Sequence, residues 1–256
     1  MERELLEASN YVTSILPKPI NRGPVLANWF YQPSTRIGGD AFGYQMLDQR
    51  HFSLFLLDVS GHGTGAAMHA MTVAQVLRER VLPDVDFLDP AAVIAGLNAR
   101  FQMDRNNDLF FTIWYGVYDI VERVMIFSAA GHHPAYLLPP DNAAWPPLPL
   151  ITRNPIVGML ADPEIAAAEV EIPAGGILHL FSDGVFEVVD RDGRQLGLED
   201  ITPMLSWVTA TAAGEGRAAG QAVAPDDPKR LYERIRALAR PGQLDDDFSA
   251  LVFRFT

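Results

Sequence analysis

The chain has 256 residues, enough for one large domain or two small ones, and 48% of them are hydrophobic, an ordinary content for a packed core. Its formal net charge of −12 excludes a nucleic-acid module, which needs a basic face, and the absence of cysteine excludes disulfides and thiolate metal sites. The start, MERELLEASN, has no apolar signal core, and no run reaches membrane-spanning length, so a soluble cytoplasmic protein is expected.

In chain order, residues 2–16 read as a helix, because Leu5, Ala8, Val12, Ile15 and Leu16 share one face. Pro17 and Pro19 stop it. It is either an ordinary packed helix or the end of a connector from an upstream regulatory module. The expected division is therefore 1–19 as helix and possible connector, and 20–256 as one domain. Gly38 and Gly39 then let the backbone approach closely before Asp40, although Gly-Gly-Asp is also turn chemistry.

The stretch LFLLDVSGHGTG, 54–65, is the most informative. Phe52, Leu54, Phe55, Leu56 and Leu57 read as a buried strand that delivers Asp58 at its C-terminal end. Glycines 61, 63 and 65 follow, and a helix is predicted over about 64–82. A buried carboxylate without a counter-charge costs several kcal/mol, and no Lys or Arg lies nearby in sequence, so a metal ion is the first candidate partner. The plain alternative is a glycine-rich strand-to-helix turn with Asp58 half exposed.

A second helix is predicted near 91–103. Three β-rich runs follow, 110–120, 124–130 and 135–138, read as an antiparallel meander with AAGHHPA between the last two. Residues 139–155 read as surface loop and 169–176 as a short strand and turn. ILHLFSDG, 177–184, reads as a second buried strand ending in Asp183. Residues 209–228 look like an insertion rich in Ala and Gly, 228–239 like a helix, and FSALVFRF, after Asp245, Asp246 and Asp247, like the last strand.

Four times, then, a glycine turn or an apolar strand delivers an aspartate: Asp40, Asp58, Asp183, and Asp246 or Asp247. Each alone has a plain reading as a turn or a solvated loop. Together they form an oxygen-only donor set, which suits Mg²⁺ or Mn²⁺ and not zinc. Several carboxylates around one strand edge suit two ions roughly 3.5–4 Å apart.

The ordered motifs GGD (38–40), DVSGHG (58–63), AGHHP (130–134), SDGVFE (182–187) and DDFS (246–249) resemble the metal-dependent serine/threonine protein phosphatases (the PPM family), in the bacterial SpoIIE-type branch. FFTIWYGVYD and NPIVGM (154–159) add lesser matches, and the resemblance runs from about residue 20 to the end. It implies an α+β fold: two antiparallel β-sheets packed as a sandwich, with helices on both outer faces and a metal cluster at one edge. By motif, Asp58 would bridge two ions. Asp40 and the carbonyl of Val59 would help hold one, and Asp183 and Asp246 the other. A bridging hydroxide would attack phosphorus in line. Asp246 is preferred to Asp247 because the family motif places its first Asp on metal.

The sequence also departs from the family pattern. Gly43 stands where many relatives carry another Asp. Arg36 is the candidate phosphate grip, against the plainer reading of an exposed loop arginine, and His62 is the candidate general acid. His132 reads as fixing a turn. The implied substrate is a phosphorylated anti-anti-sigma-type protein, with control by an upstream receiver or sensor domain; no nucleic acid or membrane is involved, and a homodimer is left open. One rival is a nucleotide cyclase, from the likeness of RIGGDAF to Gly-Gly-Asp-Glu-Phe, but position 41 is Ala where that chemistry needs an acid. A second is a catalytically silent phosphatase-fold adaptor, which has no physical reason to keep all four carboxylates.

Overall fold

The structure is a computed structural model that describes residues 12–34, 37–140, 146–210, 227–242 and 244–256, with side chains of 206–210 not described. The strands are β1 Val25–Gln32, β2 Asp40–Met46, β3 His51–Val59, β4 Phe111–Asp119, β5 Val124–Ala130, β6 Ala135–Leu138, β7 Leu148–Leu150, β8 Ala168–Glu171, β9 Ile177–Phe181 and β10 Phe248–Phe255. The helices are α1 Thr64–Glu79, α2 Pro90–Arg100, α3 Leu198–Ala210 and α4 Lys229–Leu238. They fall into two compact units, each built from separated stretches. The first takes in residues 12–17, 37–134 and 150–172, and the second takes in 18–34, 135–140, 146–149 and the described part of 173–256.

The first unit holds the antiparallel sheet β2-β3-β4-β5-β8. Strand alternation sorts β3 into two buried faces. Phe55, Leu57 and Val59 pack with α1 and α2 residues such as Ala70, Val73, Leu77, Val93 and Leu97, while Phe52, Leu54 and Leu56 point to the other face and are buried as well. Each such leucine contributes about 1.5–3 kcal/mol by leaving water. Helix α1 ends where Arg80 turns left-handed at φ 57° and its N–H donates to the Leu77 carbonyl. Helix α2 starts where Asp89 accepts from Ala91 and Ala92 N–H, with Pro90 in the first turn.

The second unit holds the sheet β1-β10-β9-β6-β7. Phe248, Ala250 and Val252 of β10 and Ile177 and Phe181 of β9 face Ile201, Leu205, Leu231 and Ile235 of α3 and α4.

The α+β class, with two antiparallel sheets and helices, is the one expected from sequence. Three details differ. The run 135–138 does not continue a meander: β4 pairs with β5, but β6 pairs with β9 in the other sheet. The chain breaks out at Gly131, with φ 66°, and Pro134 follows three residues later. The stretch 139–155 is not all loop, since it contains β7. Strands β1 and β2 and helix α3 were not anticipated. Of the expected N-terminal helix, residues 12–15 are helical, while residues 1–11 lie outside the described residues, as does 211–226 of the expected insertion. No helix among the described residues is long and apolar enough to cross a membrane.

Candidate active site

In the first unit, the register of β2 against β3 sets Asp40 directly opposite Asp58. Both lie on the face that carries Leu54 and Leu56, away from α1 and α2, at the end of the strand pair. Asp40 is 1% exposed and Asp58 half-buried. Like charges opposed on neighbouring strands repel, so the pair suits a shared cation. The next residue, Val59, donates its N–H to the Gly39 carbonyl at 3.2 Å. A Cβ on Gly39 would come within 3.0 Å of the Val59 carbonyl oxygen, so the glycine keeps that oxygen uncovered. Ser60 then ties the strand exit to β4: its N–H donates to the Phe110 carbonyl at 2.9 Å, and its hydroxyl accepts from Phe110 N–H at 3.1 Å. His62 is exposed between Gly61 and Gly63, whose φ values are 84° and 87°.

At the Gly43 departure, a Cβ would lie 2.7 Å from the Phe55 ring, its neighbour across the strand pair. The ring occupies the space that a side chain at position 43 would need.

In the second unit, β9 ends in a turn of 3₁₀ helix, Asp183–Val185, and not in a hairpin. That turn is interlocked with the one before β10. Ser182 hydroxyl donates to the Asp247 carbonyl at 2.9 Å and accepts from Ser249 N–H at 3.0 Å, and Ser182 N–H donates to the Ser249 carbonyl at 2.9 Å. A Cβ on Gly184 would sit 2.1 Å from the Asp247 carbonyl oxygen, so only glycine allows this approach. Burial, the neighbouring Asp246 and then Glu187 push the Asp183 carboxyl up to about 7. A group held against ionisation by burial and by like charge is one that a cation would stabilise.

The same turn separates three consecutive aspartates. Asp245 pairs with Arg240 at 2.8 Å. Asp247, 6% exposed, accepts from Ser34 N–H at 2.7 Å and from its hydroxyl at 3.0 Å. Asp246 is exposed, accepts from Asp247 N–H at 2.7 Å, and is the aspartate that most raises Asp183.

The structure thus gathers the expected ligands as two carboxylate pairs, one in each unit. No group of three or more His, Asp or Glu side chains suited to a metal occurs among the described residues. The donors are all oxygen and include the Val59 carbonyl, which fits a hard divalent cation. Arg36 lies outside the described residues. His132 is 4% exposed, donates from Nδ1 to the His133 carbonyl at 2.9 Å, and is pushed down to about 4 by burial. That bond closes on the adjacent residue within the AGHHP turn. The role of NPIVGM was not read from the sequence. Asn154 donates to the Ala129 and Ala166 carbonyls and accepts from Ala166 N–H, while its own carbonyl takes Gly131 N–H, so it clamps the AGH turn. Serines 182 and 249 stood inside recognised motifs, but their lattice is set by tertiary approach that spacing does not reveal.

Comparison with known proteins bears on the family and the fold. The family profile of SpoIIE, stage II sporulation protein E, matches residues 48–256. The chain is 28% identical to the phosphoserine phosphatase RsbP of Bacillus subtilis over 190 residues, 73% of this chain and 46% of that one. It is 24% identical to the phosphoserine phosphatase RsbU of the same organism over 223 residues, 87% of this chain and 61% of that one. The chain therefore spans about half the length of these relatives. Among solved structures, the PP2C domain of SiaA from Pseudomonas aeruginosa superimposes with a TM-score of 0.80 at 18% identity, over 100% of this chain and 96% of that one. RsbX in complex with magnesium gives 0.64 at 12% identity, over 93% and 99%. Likeness at such identities shows the fold, and it is the fold that the sequence resemblance implied. With its profile matched over most of the length, this chain belongs to the SpoIIE family.

Proposed function

We propose that the chain is a divalent-metal-dependent protein serine/threonine phosphatase that hydrolyses phosphoserine or phosphothreonine on a regulatory protein, an anti-anti-sigma-type factor by the resemblance. The observation that carries this reading is the pairing of carboxylates at strand ends: Asp40 opposite Asp58, and Asp183 held against ionisation by burial and Asp246. Asp40, Asp58 and the Val59 carbonyl would be ligands of one Mn²⁺ or Mg²⁺ ion, and Asp183 and Asp246 of a second. Bound ions would neutralise the phosphate and make water a stronger nucleophile near neutral pH.

The residues of the chain account for the rest. The strand register and the Ser182 lattice fix the carboxylates before substrate arrives, so little reorganisation is left to the reaction. In hydrolysis the water oxygen bonds to phosphorus, the ester P–O bond breaks, and the serine or threonine oxygen takes a proton. His62, exposed on the loop before α1, is the proposed donor of that proton. Arg36 is the proposed phosphate grip. We place 20–256 as the catalytic domain, working in the cytoplasm, with residues 1–19 connecting to a receiver or sensor module.

The test is turnover of p-nitrophenyl phosphate and of a phosphoserine protein, with added Mn²⁺ or Mg²⁺ and with EDTA. Activity should require the ion and vanish in chelator. Full activity in EDTA would overturn the two-ion reading.

A further inference from the structure

In a chain of net charge −12, five of the 20 basic residues fall within 229–240: Lys229, Arg230, Arg234, Arg236 and Arg240. Glu233 is the single acid in that window. Helix α4 carries the first four and buries Leu231 and Ile235 against the second unit's sheet, which turns much of the basic set outward. Lys229 is paired with Glu233 at 3.7 Å and Arg240 with Asp245. Arg234 is exposed and forms no ion pair among the described residues. Arg230 precedes it by one helical turn on the same side.

Arg234 also borders a groove of about 350 Å³, lined among the described residues by Asp200, Pro203 and Met204 of α3. The one acid there is already neutralised. Arg194 grips Asp200 with two hydrogen bonds of 2.9 and 3.0 Å, Gly197 N–H adds a third at 3.0 Å, and the Asp200 carboxyl is held below its usual range. The groove therefore offers an apolar surface, from Met204 and Pro203, beside a guanidinium whose charge is unspent. Helix α4 ends at Leu238, two residues before Arg240, whose partner Asp245 adjoins Asp246 in the candidate site of the same unit.

We propose that the α3–α4 groove docks an acidic segment of the phosphoprotein substrate, with an apolar side chain seated on Met204 and Pro203 and a carboxylate on Arg234. An acidic partner meets repulsion over most of this chain, and here it meets unpaired positive charge. The inference rests on the phosphatase reading for the identity of the occupant.

The test uses the 256-residue chain and two phosphoserine peptides that share the phosphoserine but differ in one flank, Glu- and Leu-rich in one and Gly- and Ser-rich in the other. The acidic peptide should have a KM lower by about tenfold, with kcat similar, and the advantage should shrink as salt rises. Arg234→Glu should erase the advantage, Arg234→Lys should keep most of it, and Met204→Gln should weaken it with the charge intact. None should change turnover of p-nitrophenyl phosphate. A second arm measures anisotropy of the acidic peptide, fluorescein-labelled and without phosphate, which reads docking without catalysis. Absence of turnover on every substrate would overturn the phosphatase reading, and the anisotropy arm would still decide the docking. Equal KM for the two peptides, or labelled-peptide binding unchanged in Arg234→Glu, would overturn the groove.

Discussion

The two carboxylate pairs are placed by different physical means. Asp40 and Asp58 are opposed by strand register. Separating them means slipping β2 along β3, and a slip by one residue would turn Phe42 and Tyr44, now buried, to the opposite face. Asp183 and Asp246 are placed by two turns stitched through the Ser182 hydroxyl and the approach of Gly184 to Asp247. The first pair is therefore guarded by a whole core, and the second by a few hydrogen bonds and one missing Cβ. The first should tolerate nearby substitution while the second should not, although neither should tolerate losing a carboxylate.

Loss of a carboxylate is the largest expected effect. Asp58→Asn should lower kcat/KM at least about a thousandfold, about 4 kcal/mol of transition-state stabilisation, with the fold retained. Asp183→Asn and Asp246→Asn should be nearly as damaging. Asp247→Asn should be milder in turnover, because that carboxylate is spent on Ser34. Steady-state kinetics with Mn²⁺ decides the order, and Asp247→Asn proving worse than Asp246→Asn would move the ligand by one residue.

A smaller effect separates the pairs by stability. Gly184→Ala forces a Cβ to within 2.1 Å of a backbone oxygen, and neither side is a flexible side chain that can swing away. It should cost about 2–3 kcal/mol and loosen the second pair. Gly39→Ala puts its Cβ 3.0 Å from the Val59 oxygen and should cost less. Urea unfolding of both variants in EDTA measures the difference, and an equal cost would remove the contrast between the pairs.

What the sequence made legible follows the same division. Strands β3, β9 and β10 are dense apolar runs, because both of their faces are buried, and such runs announce themselves without a partner. Helix α1 shows its apolar spacing, and the five motifs give the carboxylates. Strand β1 was not seen because VLANWFYQ has no regular alternation, and its burial is mostly intermediate. Helix α3 was not seen because Pro203 sits inside it and reads locally as a breaker. That β6 crosses to the other sheet is written in no local signal, since four apolar residues pair equally well with either neighbour. Three successive aspartates likewise look alike until Arg240, just past the end of the preceding helix, and Ser34, far away in sequence, each claim one.

The smallest effect expected is in the pH dependence of the metal-free protein, where half-buried Asp183 of the second unit and buried His132 of the first titrate with opposite sign. Asp183 has its carboxyl raised to about 7 by burial, Asp246, Glu187 and Asp247, with only Gly184 N–H opposing. A raised folded value means that the folded state binds the proton more tightly, so the stability from this group is present at low pH and is lost as pH rises from about 4 through about 7. His132, pushed down to about 4, works the other way, and its stability is present above the ordinary imidazole value and lost as pH falls toward 4. His179 of the second unit, pushed down to about 3 by burial and then Arg254, follows His132. Below pH 6 the opposed slopes partly cancel, whereas between pH 6.5 and 8 Asp183 acts almost alone. In EDTA the urea midpoint of the native chain should therefore fall across that upper window, by an amount that reflects a little under ~1 kcal/mol, the last part of a loss that runs from about pH 4 to 7. Asp183→Asn should flatten the fall and be the more stable protein at pH 8, with no gain at pH 5. Adding Mn²⁺ should lift the native chain at pH 8 and lift the Asn variant less. If the variant keeps the native slope, the burial of Asp183 beside Asp246 is not what sets it, and the second pair loses its claim on a cation.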